Sequence, residues 1–150
     1  MSQLLKRLAS ALLGTDPNAP EPGPAVTLEN QINKLINAER ARHGCDELTV
    51  HPRITAAARS HSRWMAATGR FSHAGKGGSR FVSRVRAAGY SQPSAENIAW
   101  GNRTASAVVA GWMKSPGHRA NILNRESRTV GVGVVFTANM TPYITQNFGY

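Results

Sequence analysis

The chain has one cysteine, few acidic residues and no apolar run of membrane-spanning length. With Cys45 alone, no intramolecular disulfide can form and no cysteine-based zinc site can be built, so cysteine usage leaves the compartment open. No stretch approaches the roughly 20 apolar residues that a transmembrane helix needs. Eight acidic residues stand against 18 basic ones, a formal charge of +10. The basic side chains are scattered: Arg40 and Arg42, Arg59 and Arg63, Arg80, Arg84 and Arg86, Arg125 and Arg128. Without a dense basic block interleaved with aromatics, specific nucleic-acid binding is not expected, and the charge reads as a solvated face open to anionic partners. HExxH, the Gly-x-Ser-x-Gly elbow, the P-loop and the dinucleotide fingerprint are all missing. "GKGGS" (Gly75 to Ser79) is glycine-rich, but it lacks the spacing and the preceding strand of a phosphate loop.

What is present fits one globular domain: 150 residues, 41% of them hydrophobic. In residues 1–13, Lys6 and Arg7 precede a short apolar run, too short for a good secretion signal. Leu4, Leu5, Leu8 and Leu12 fall at helical spacing, which equally suits a short amphipathic helix docked on the body or on a membrane surface. Residues 14–26 hold four prolines in "GTDPNAPEPGPA" and read as an extended linker. The domain proper is expected over 27–150, without internal repeats and as a monomer.

Leu28, Ile32, Leu35 and Ile36 form one stripe of a first helix, about Leu28 to His43, with Gly44 as its left-handed cap. A second helix opens at Pro52 and stops at Gly69, with His61 inside its apolar face. A short helix capped by Ser79 and ended by Gly89 follows, then a strand in "SAENIAWG". A fourth helix starts from a Thr104 cap and ends before Pro116, where Ser115 can cap another. "TVGVGVVF" and "YITQNFGY" switch to period two and make a terminal hairpin around "TANMTP". The glycine-lined face of the first run invites close approach by a helix. Helices first and a hairpin last predict α+β with an antiparallel sheet.

Three residues could carry chemistry: His73 on the glycine-rich loop, Glu96 beside the strand, and His118 at a helix start. The positive end of a helix dipole would discourage a second proton on His118. Two imidazoles and a carboxylate suit a divalent metal completed by water; alternatively, Glu96 orients a histidine by accepting its ring N–H. His61 reads as a packed, hydrogen-bonded core residue. Ser115 reads as a helix cap rather than a nucleophile.

The blocks "LINAERARHG", "AAARSHSRWMAATGRFSH", "AENIAWG", "VVAGWMKSPGHRANILN", "VGVGVVF" and "YITQNFGY" stand in the order seen in the CAP superfamily, which includes the cysteine-rich secretory and pathogenesis-related plant proteins. The chain resembles that family from about Leu28 to Tyr150, and most closely its disulfide-free bacterial branch. The resemblance implies an α-β-α sandwich with a small antiparallel sheet between helical layers. It also implies a central cleft of two histidines and two acidic residues that holds zinc or another divalent cation in some relatives. By motif, His73 and His118 take the histidine places and Glu96 the first acidic one. The second acidic place falls in "WMKS", where Lys114 and Ser115 stand and no carboxylate does.

Two functions are therefore carried forward. The first is a non-catalytic binding module, extracellular or in the cell envelope, whose cleft recognises a ligand such as a lipid or an anionic envelope polymer. The second is a metal-dependent, peptidase-like hydrolase with His73 and His118 on the metal and Glu96 as general base.

Overall fold

A computed structural model describes residues 16–150; the expected tail helix at 1–13 lies outside the described residues. The first helix, α1 (Pro24–Arg42), begins four residues before Leu28. Pro24 is thus helical rather than part of an extended linker, because at the first helical position its missing N–H leaves no bond unmade. The chain leaves α1 through Gly44 at φ +73° and runs through β1 (Thr49–Val50) into α2 (Pro52–Thr68), which ends on Gly69 in the left-handed region. Then come α3 (Phe81–Ala87), β2 (Pro93–Trp100), α4 (Ala105–Met113), α5 (Pro116–Ile122), β3 (Thr129–Phe136) and β4 (Pro142–Gly149).

The sheet order is β1-β3-β4-β2. β3, β4 and β2 are antiparallel, as expected, but β1 joins parallel to β3 through Thr49↔Thr129 and Val50↔Val130. The sheet is therefore mixed. Two residues between polar neighbours are too short a run to announce a strand in the sequence. One sheet face carries Ala95, Ala99, Val130, Val132, Val134, Ile144 and Phe148, which pack with Leu28, Ile32 and Ile36 of α1 and with Val108, Val109 and Trp112 of α4. On the other face, α2 lies directly over Gly131 and Gly133. A Cβ at either would stand 2.2 Å from a backbone nitrogen, that of Thr55 or Arg59. The glycine face is what lets the α2 layer close down, giving the α-β-α sandwich.

Side chains bond to the outer side of β2 and to β3 beyond its short pairing with β1. Along β2, Asn121 of α5 donates to the Glu96 carbonyl at 3.2 Å, and the Trp112 indole of α4 donates to the Ile98 carbonyl at 3.0 Å. Along β3, the Glu29 carboxylate accepts the Val134 N–H at 3.0 Å. Arg40, grouped by sequence with the solvated basic residues, is instead fully buried. It donates to the carbonyls of Asp46, Ile122 and Asn124 at 2.7–2.9 Å, fastening α1 to the end of α5.

Candidate functional site

Glu96 sits in mid-β2 on the α2 side of the sheet, opposite Asn147 of β4, and is buried. Its Oε1 accepts from His73 Nδ1 at 2.9 Å. Its Oε2 accepts from Arg84 Nη2 at 2.6 Å and from Asn147 Nδ2 at 3.0 Å. Burial alone would raise the carboxyl's proton affinity. The His73 hydrogen bond, the Arg84 charge and the bonds from Asn147 and Arg84 outweigh it and hold the group below its ordinary 4.5. Glu96 is therefore a carboxylate with both oxygens engaged.

The same contacts fix His73. With Nδ1–H given to Glu96, the ring presents Nε2 outward from a side chain that is 58% exposed. Arg84 Nη1 also donates to the carbonyls of His73 and Ser79 at 3.0 and 2.7 Å, so one guanidinium holds both the carboxylate and the loop backbone. His61 is the expected core residue: it is buried, stacks on Trp64 and donates Nε2–H to the Ser72 carbonyl at 2.7 Å. Burial, then the Arg84 charge, lowers its proton affinity.

His118 lies in the first turn of α5, which opens at Pro116 as expected. Ser115 occupies the capping position, but its hydroxyl makes no capping bond, and likewise the helix at Phe81 is preceded by Arg80 rather than capped by Ser79. Ser79 is occupied elsewhere, accepting from Arg84. The proton affinity of His118 is lowered first by burial and then by the charge on His73. Its Nδ1 is buried without a partner among the described residues. The α5 backbone is tied to the sheet by Asn97 Nδ2, which donates to the His118 carbonyl at 3.3 Å, and by Asn121, which donates to Asn97 Oδ1 at 2.9 Å.

The structure thus joins His73 to Glu96 directly and brings His118 within electrostatic reach of His73. A cavity of about 340 Å³ opens beside His73 and Glu96, its other walls being Arg80, Phe81, Ser94, Ala95 and Asn121, without His118. As a metal site, the donor set reduces to the two imidazoles, since Glu96 is consumed in orienting one of them. Among the described residues, no three His, Cys, Asp or Glu side chains gather to hold an ion. Two imidazoles are too few for a closed structural site. Lys114, in the second acidic place, is exposed, and the charged partner of Glu96 is Arg84.

Arg84, Asn147, Asn97 and Asn121 went unnoticed in the sequence. Asn147 had a usable signal, because pairing "ENIA" with "TQNF" in antiparallel register sets Glu96 against it. Arg84 had none, being one of several arginines on a short helix.

A family model described as "Cysteine-rich secretory protein family" matches residues 34–148. The uncharacterized protein YkwD of Bacillus subtilis (strain 168) is 34% identical over 122 residues, covering 81% of this chain and 48% of its own. The uncharacterized membrane protein YlbC of the same organism is 35% identical over 124 residues, covering 82% of this chain and 34% of its own. Among solved structures, an extracellular protein containing a SCP domain from Bacillus anthracis superposes with a TM-score of 0.74 at 28% identity, covering 87% of this chain and 45% of that one. The chain spans half or less of the length of these relatives.

Proposed function

Because the chain belongs to the cysteine-rich secretory protein (CAP) family, as a bacterial-type member without disulfides, we propose that it is a non-catalytic, extracytoplasmic binding module. Its cleft would take a polar ligand and hold a divalent cation weakly between His73 and His118. The observation that carries this reading is the engagement of Glu96. A general base needs a lone pair aimed at water, and here one oxygen holds His73 while the other takes Arg84 and Asn147. The same contacts, on a side chain only 1% exposed, weigh against Glu96 as a general base. Arg80, Ser94 and Asn121 in the wall favour a polar ligand over an acyl chain. When bound, the cation would supply a positive centre for an anionic ligand group. His73 would meet it through Nε2, its ring fixed by Glu96, and His118 would do so as a neutral imidazole.

Thermal unfolding with and without zinc tests the cation site. Zinc should raise Tm slightly at pH 7.5 and not at pH 5, where protons compete with zinc for its ligands, and His118→Ala should abolish the rise. Equal stabilisation of wild type and variant would remove the metal claim. Peptide cleavage by the purified protein that is lost in Glu96→Gln would replace the binding module with the hydrolase.

A further inference from the structure

On the far side of Arg84 from the cleft, α2 and the 75–84 segment enclose a second cavity of about 300 Å³. Its cations are Arg63, Lys76 and Arg84. Arg84 is matched by Glu96, whereas Arg63 and Lys76 make no ion pair among the described residues and are exposed. No carboxylate lines the wall; its accessible hydrogen-bonding groups are cationic donors and the hydroxyls of Ser60 and Ser79, with Trp64 beside them, while His61 also lines it but has its unpartnered Nδ1 buried towards Gly75. Ser79 Oγ accepts from Arg84 at 3.3 Å, which leaves its proton to donate. The preferred ligand is rich in acceptors, negatively charged, and has a face that can lie on an indole.

A neighbouring cavity of about 310 Å³ shares Ser60 and Arg84 with the first and is otherwise walled by Ala56, Ala57, Ala87 and Ala88. The ligand therefore has length. An acyl chain running from one cavity to the other would pass over a guanidinium and a hydroxyl, whereas a chain of sugars would hydrogen-bond to both.

We propose that this groove between α2 and α3 is a second binding site, taking an acidic saccharide with its charged group between Arg63 and Lys76 and a ring against Trp64. The site is separate from the His73–Glu96 cleft and does not depend on a cation there.

Titration with trigalacturonate, followed by the Trp64 indole N–H signal in NMR, tests it. Trigalacturonate should shift that signal and bind at least about tenfold more tightly than neutral maltotriose. An Arg63→Glu, Lys76→Glu double variant, altered only at exposed positions, should lose at least about tenfold in affinity. A control reversal at the distant exposed Lys34 and Arg103 should lose less than about threefold. Loss equal to the control would show only attraction to a +10 protein and would overturn the site. Absence of a Trp64 shift, tighter binding of decanoate, or equal binding of maltotriose would each overturn the proposed ligand. Binding unchanged by the double variant would overturn its location.

Discussion

Each open edge of the sheet carries a buried glutamate held by an arginine, and the two edges do different things. At the β3 edge, Arg59 grips Glu29 through Nε and Nη2 at 2.6–3.2 Å, and the remaining lone pair takes the Val134 N–H. Nothing titratable or exposed hangs on that carboxylate besides the arginine itself, so it is a staple between helix layers. At the β2 edge, Arg84 grips Glu96 just as closely, but the carboxylate also carries a half-exposed imidazole facing a cavity. A buried ion pair therefore says little about function by itself. What the carboxylate presents to solvent separates the staple from the site.

The largest expected effect sharpens this contrast. Glu96→Ala strands Arg84, whose side chain is only 11% exposed, and should cost about 4 kcal/mol, as breaking a buried pair does. Glu29→Ala should cost less, about 2 kcal/mol, because Arg59 is 43% exposed and its freed charge reaches water, leaving mainly the orphaned Val134 N–H. Urea unfolding of both variants checks the order. Equal losses would mean that the two pairs are equivalent and that the contrast is only one of decoration.

A smaller effect distinguishes the edges by pH. His61 and His118 both have their proton affinity lowered by burial, so they stay neutral in the fold while the unfolded chain protonates them near 6.5. Stability is full above that value and falls as pH drops from about 6.5 towards the lower folded values. A second loss follows below the ordinary 4.5 of Glu96, whose folded value is depressed, as the unfolded carboxylate takes a proton first. Urea midpoints measured from pH 8 to 3 should show both phases. The upper phase should shrink in a His61→Phe, His118→Leu variant, and an unchanged upper phase would assign the loss to other groups.

The sequence disclosed the elements that obey local rules. Pro52, Gly69 and Thr104 mark ends by their own chemistry, and the Thr104 hydroxyl does accept the Ala107 N–H at 3.2 Å. The alternating glycines of β3 foretold the close helix above them. The site was legible as three residue types in a family order, and its frame was not. Arg84 acts through a contact twelve residues along the chain, and Asn147 through strand register, neither of which periodicity encodes. Arg40 shows the same limit from the other side: its burial comes from carbonyls more than 80 residues away, so composition placed it in solvent.

The smallest expected effect is a gain. Residues kept for binding leave unmet polar groups, and His118 Nδ1 is such a group, buried on the site edge without a partner among the described residues. At the β3 edge every oxygen of Glu29 is taken, although Asn33 Oδ1, one turn further along α1, is likewise buried without a partner among the described residues. His118→Leu keeps apolar bulk at that half-buried position and removes the orphan, so it should stabilise the fold by up to about 1 kcal/mol at pH 7.5. The gain should widen at pH 5, because unfolded wild type then draws a proton to His118 that the folded protein resists, and the leucine variant has no such proton to lose. The zinc response should vanish in the same variant. Matched urea titrations at the two pH values measure the difference directly. A variant less stable than wild type at both would show that His118 is a packing residue, and the β2 edge would then be a second staple.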